Sequence, residues 1–139
     1  MNYVSTRIVT EDMKRLVGFY EAVVGLTPRW YTDDFAELAT PSCTLAIASK
    51  RSIDLYGAGA AEPAANHSAI LEFLVHDVDA EYEKLREANA DVVKEPTTQP
   101  WGNRSVLFRD PDGNLVNFFT PVTANAIAKY AAVSAESAQ

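Results

Sequence analysis

Three polar side chains sit inside otherwise apolar, strand-like runs of this sequence, and they are where chemistry is expected. Glu72 lies in SAILEFLV, Arg104 in NRSVLFR and Asn117 in LVNFFT. A carboxylate held among Ile and Leu is expensive to desolvate unless something pairs with it. Glu72 therefore reads as an anchor for a cationic ligand, as a base, or as half of a structural ion pair with Arg104 or Arg7. Arg7, in YVSTRIVT, shares a strand face with Ser5 and Val9 and could also fork onto a ligand carboxylate. Alternate strand residues face opposite ways, so Arg104 groups with Val106 and Phe108, and Asn117 with Leu115 and Phe119. The expectation is that these two faces line one groove. Arg104 and Asn117 would then be polar groups set in apolar walls, the usual make-up of a small-molecule site.

Rings complete the candidate set. Trp30, Tyr31, Phe35 and Trp101 suit stacking on a planar or cationic group, with core or dimer packing as the competing role. Trp101, in QPWG, is placed at the lip of the groove, and Tyr56 near the same rim. Between the Arg104 and Asn117 strands stands Asp110-Pro111-Asp112-Gly113-Asn114. Its proline and glycine occupy the positions a chain reversal needs, and its aspartates are expected to bond their own backbone and not a metal. His67 and His76 are the only histidines and read as solvated or capping groups. Cys43, the single cysteine, excludes an internal disulfide and reads as a small core residue.

The elements that position these side chains follow from periodicity. Residues 3–10 read as a strand, and Met13, Leu16, Val17, Tyr20 and Val24 then recur at helical spacing between a capping Asp12 and a terminating Gly25. Short strands are expected at 27–32, 35–40 and 43–49. Residues 51–67 read as a linker, whose GAGAAEPAANH portion is small, proline-bearing and aperiodic. The pattern then restarts with a strand at 68–75 and a helix opened by Asp77 or Asp79, with Val78, Tyr82 and Leu85 on one face. Strands follow at 91–94, 103–109 and 114–120.

Strand, helix and three strands, twice over, is an internal repeat of about 55 to 60 residues. The reading is one α+β domain over 1–139, with a first module at 3–50 and a second at 68–121. The two modules are expected to pair into one larger, curved mixed sheet around a groove, with helices on its outer face. Residues 122–139 form an Ala-rich tail, expected to dock at its start and fray over AESAQ.

The chain of 139 residues carries 12 basic and 19 acidic side chains, a net charge of -7 that repels a phosphate backbone and argues against nucleic acid. No apolar run approaches the length of about 18 residues that spans a bilayer. The start does not read as a secretory signal, so no membrane partner and a cytoplasmic setting are expected.

The stretches DMKRLVGFYEAVVGL, HDVDAEYEKLREANADVV and QPWGNRSVLFRDPDGNLVNFF resemble the vicinal oxygen chelate superfamily, which contains glyoxalase I, extradiol dioxygenases, fosfomycin-resistance enzymes and bleomycin resistance proteins. The resemblance covers residues 3–121 and implies paired βαβββ modules. It also implies a divalent metal held by His, Gln and Glu on the first and last strand of each module. The matching positions here are Ser5, Ile70 and Asn117, and CTLAIAS, which should hold the remaining ligand, contains no His, Glu, Gln or Asp. The sequence is therefore most similar to the metal-free, bleomycin-resistance-like branch. That implies a homodimer binding a small, cationic or aromatic molecule, without metal or cofactor. The alternative is an enzyme of the same fold using unexpected metal ligands, or Glu72 as a base with Arg104 as an electrophilic stabiliser.

Overall fold

The computed structural model describes residues 1–137, with side chains through residue 134. The chain divides into two compact units, Met1–Asn66 with Pro111–Gly113, and His67–Asp110 with Asn114 onward. Each builds its own four-stranded mixed sheet, so the single larger sheet expected from the repeat is, in hydrogen-bonding terms, two.

In the first unit, β1 (Ser5–Thr10) leads through α1 (Met13–Val24) to β2 (Arg29–Thr32), β3 (Phe35–Ala39), β4 (Thr44–Ser49) and α2 (Lys50–Gly57). Asp12 caps α1, accepting from the Arg15 amide at 3.1 Å, and Gly25 ends it at a left-handed φ of 75°. The sheet order is β1-β4-β3-β2, with β1 parallel to β4. One face carries Ile8, Ala36, Leu38, Leu45 and Ile47, buried together with Leu16, Val17 and Tyr20 of α1. On the other face, Val9 and Ala48 are covered by Ile53 of α2, with Phe35 and Ala61 packed alongside.

Helix α2 corrects the sequence reading, which gave residues 51–67 to a linker. Only Ile53 anchors it in the core, so there was no apolar period to read. Its start is fixed by polar groups instead. Ser49 Oγ accepts from the Ser52 amide at 3.1 Å and donates to Asp34 at 2.7 Å, and Arg51 bonds the same carboxylate at 2.6 Å. The Arg51 guanidinium, and after it the Ser49 hydroxyl, hold the Asp34 carboxyl below its ordinary value.

The second unit repeats the order. It runs β5 (Ile70–Leu74), α3 (Val78–Glu87), β6 (Asp91–Thr98), β7 (Asn103–Arg109) and β8 (Leu115–Pro121), and adds α4 (Ala124–Lys129) and α5 (Ala131–Ser137). The sheet order is β5-β8-β7-β6, again with the module's first and last strands parallel. Asp77 caps α3, accepting from the Asp79 and Ala80 amides at 3.1 and 3.2 Å. The core is aromatic. Phe118 meets Phe108 edge-on at 4.8 Å and Phe73 at 5.7 Å, with Val78, Leu85, Val106 and Val116 buried in the same unit. β6 runs past the expected 91–94, through Pro96 to Thr98, and its pairing with β7 shifts register twice.

The turn between β7 and β8 is held as the sequence reading expected. The Asp110 carboxylate accepts from the Asn114 amide at 2.9 Å and from Asn114 Nδ2 at 2.8 Å, while Gly113 takes φ of 83°. Its tip groups with the first unit, where Asp112 Oδ1 accepts from Arg15 Nη2 at 2.9 Å.

The tail docks at its start through a close approach. Gly102, at φ of 98°, accepts from the amides of Val122 and Thr123 at its carbonyl oxygen, and its Cα faces Thr123 and the buried Ala126. Tyr130 then lies on Phe119 with ring centroids 5.1 Å apart. Of the AESAQ end, the backbone of α5 is described to Ser137 and the rest lies outside the described residues. A methyl at position 102 would collide with Thr123 and force an unfavourable φ. Gly102→Ala is expected to lower stability by about 1–3 kcal/mol in urea unfolding and to raise the Tyr130 solvent exposure seen by quenching.

Candidate functional site

The parallel register of β5 on β8 places Glu72 beside Asn117, and the antiparallel register of β8 on β7 extends the row to Leu107. Asn117 Nδ2 donates to Glu72 Oε2 at 2.9 Å. Ile70 pairs with Leu115 on one side of this row, and Leu74 with Phe119 and Ser105 on the other. Residues on this face point away from Phe73, Val106, Phe108 and Phe118, which form the aromatic core on the opposite side of the sheet. Glu72 is exposed and Ile70 retains 48% of its surface, while Asn117 is 9% exposed. Phe119, at the same face, is buried under Tyr130. The result is an apolar, half-open sheet face with one carboxylate–carboxamide pair in it.

The direction of that hydrogen bond fixes the amide. A carboxylate can only accept, so Nδ2 must be the atom facing Glu72, and Oδ1 is the atom turned away. Asn117 Oδ1 is buried with no hydrogen-bond partner among the described residues, as is Asn103 Oδ1, which lies on the same face opposite Pro121.

Arg104 is not part of this face. It pairs with Thr120 and not with a partner of Asn117, so strand parity sends it to the helix side with Val106 and Phe108. There it forks onto Asp79 of α3, Nε to Oδ2 at 2.9 Å and Nη2 to Oδ1 at 3.0 Å. The sequence reading grouped Arg104 with Asn117 because each strand's period is visible but the register between strands is not. The Arg104 hydrogen bonds hold the Asp79 carboxyl below its ordinary value.

The remaining candidates fall into separate places. Ser5 and Arg7 lie on the α2 side of the first sheet, in rows with Thr44 and with Ala46 and Glu37. The Arg7 guanidinium sits between two rings, 5.3 Å from the Phe35 centroid and 5.2 Å from that of Tyr56 on α2. Tyr31 leans on Phe35 at 5.7 Å and carries Arg29 over its ring at 4.8 Å. Trp30 pairs with Ala36, on the α1 side, so the structure separates it from Tyr31 and Phe35. Trp101, 68% exposed, precedes β7 at the Gly102 turn. Glu72 thus meets an amide, while Arg104 and Arg7, the two arginines considered for it, are engaged by Asp79 and by rings. Sequence reasoning missed the Glu72–Asn117 bond, although both residues carry the right parity for one face.

A sequence model of the Glyoxalase/Bleomycin resistance protein/Dioxygenase superfamily matches residues 2–118, and the chain belongs to that superfamily. It is 27% identical over 125 residues to the uncharacterized protein YraH of Bacillus subtilis (strain 168), covering 86% of this chain and 98% of YraH. It is 34% identical over 117 residues to the anthracycline biosynthesis protein DauV of Streptomyces sp. (strain C5); the match takes in 76% of this chain and 36% of DauV. The fold is similar to that of a glyoxalase/bleomycin resistance protein/dioxygenase family enzyme from Burkholderia phytofirmans PsJN, with a TM-score of 0.77, 19% identity, and 88% and 100% of the two chains covered.

The positions that the family resemblance assigns to metal ligands fit a divalent cation poorly. Ser5, Ile70 and Asn117 offer a hydroxyl, a hydrocarbon and a carboxamide, where such sites use imidazole and carboxylate. Among the described residues no group of three or more His, Cys, Asp or Glu side chains is arranged to hold a metal ion.

The Asp79–Arg104 pair has a pH signature. A depressed folded-state value means the pair's stabilisation is present above the ordinary aspartate value of 3.8 and is lost as pH falls from there through the lower folded value. Asp79→Asn should therefore be less stable than the parent at neutral pH. The gap in urea midpoint should close in acid, and a gap that widened on acidification would contradict the assignment.

Proposed function

We propose that this protein binds a small organic molecule on the open face of its second sheet, without a resident metal, as a binding or sequestering member of its superfamily. The observation that carries the reading is the Glu72–Asn117 pair. At the position where the resemblance implies a carboxylate metal ligand stands an amide, whose nitrogen donates to the neighbouring Glu72. Around that pair Ile70, Leu74, Leu107 and Leu115 leave apolar surface only partly covered. A flat hydrocarbon or aromatic body matches such a surface, and the fixed polar pair would orient it. The description of DauV as an anthracycline biosynthesis protein supports including fused-ring aromatic compounds among the ligands to be tried. The reading places the protein in the cytoplasm as a homodimer.

Two measurements on the purified protein test it. Elemental analysis should find no stoichiometric nickel, zinc, manganese or iron; one metal per chain, retained through dialysis against chelator, would replace this reading with a metal-dependent one. In a thermal-shift screen, fused-ring aromatics with and without amines should raise the melting midpoint in a concentration-dependent way, since ligand at 100 times its Kd adds about 2.7 kcal/mol of stability. A panel with no member that shifts the midpoint would count against binding.

A further inference from the structure

The polarity of the Glu72–Asn117 pair says more than that something binds there. Resting on the binding reading above, we infer that the site selects a protonated amine or amidine carried on an apolar body, and discriminates against carboxylates and phosphates.

Two acceptor groups and one donor group, the Asn117 NH2, meet at this row, and one of the two donor hydrogens is spent internally. Asn117 Nδ2 is bonded to Glu72 Oε2 at 2.9 Å. What remains is the second Nδ2 hydrogen; Asn117 Oδ1, buried and without a partner among the described residues; and the Glu72 carboxylate, exposed and without an ion pair within 4.0 Å among them. The two oxygen groups accept and outnumber the one remaining N–H, and an amide bonded to a carboxylate cannot turn to offer both of its N–H groups without leaving that carboxylate. A buried acceptor with no partner carries a desolvation cost that an incoming donor removes. An ammonium or amidinium group brings several donors and a charge opposite to that of Glu72, whereas a carboxylate or phosphate brings neither.

Cations on the same face do not alter this locally. Lys94 shares the row but is separated from Asn117 by the whole of β7, where Leu107 stands between them. Arg109 lies one row along, beside Leu115, and has interactions of its own. Arg104, which would have reversed the polarity, is turned to the other side of the sheet and held by Asp79. The neighbouring Ile70, Leu74 and Leu107 are suited to the body of the ligand and offer its charged end no alternative partner.

The test uses three naphthalenes of one shape: 1-naphthylmethylamine, 1-naphthylmethanol and 1-naphthoate. Each is titrated into the full chain, with binding read from backbone amide shifts of residues 70–74 and 115–119. The amine is expected to bind about tenfold more tightly than the alcohol, the effect of one charge-assisted hydrogen bond, and the carboxylate most weakly. In Glu72→Gln, whose exposed position keeps the fold intact, the amine's advantage over the alcohol should disappear. Equal or tighter binding of the alcohol or the carboxylate, or an amine preference that survives in Glu72→Gln, overturns the polarity inference and leaves the binding reading standing. No shift in these amides with any of the three overturns both.

Discussion

Register between the first and last strand of the second unit is the constraint on which the site rests. With Phe73 beside Phe118 and Glu72 beside Asn117, the core rings share one side of the sheet and the polar pair shares the other. A slip of one residue would exchange the two sets, burying Glu72 under α3 and exposing the phenylalanines. The aromatic core therefore fixes the polar face: Phe118 touches Phe73 and Phe108 edge-on, and each such contact adds to the area term in holding the strands in step.

The two units share a topology and treat their second faces differently. By register, Arg7 and Ala46 occupy in the first unit the places that Glu72 and Asn117 occupy in the second. In the first unit, α2 lies across that face and its Tyr56 closes on Arg7 together with Phe35. In the second, the chain passes from β8 to α4, whose following Tyr130 covers Phe119 and leaves the Glu72 row open. A repeat of one fold has thus given one face stacked around a cation and one face presenting an anion.

Much of this was legible in the sequence, and the failures lie where the structure depends on residues distant in sequence. Periodicity located both long helices, the cap at Asp12, a second cap narrowed to Asp77 or Asp79, the order of strands and the structural nature of the Asp110–Asn114 turn, because each depends on residues close in sequence. Parity within SAILEFLV also puts Ile70, Glu72 and Leu74 on one face, the side away from Phe73. Parity within a strand does not state which residues of the next strand lie opposite, and Arg104 was accordingly set beside Asn117 when it belongs with Asp79. Helix α2 was lost for another reason: a helix with one buried anchor and a serine cap gives no period, and its start depends on Asp34, distant in sequence.

The irregular pairing of β6 has a consequence for how the protein behaves in a crowded solution. β6 is the outer strand of its sheet, and a straight outer strand offers a free row of amides and carbonyls on which another chain can polymerise. Two register shifts, the missing N–H of Pro96 and the adjacent charges of Lys94 and Glu95 make this border a poor template for fibril growth.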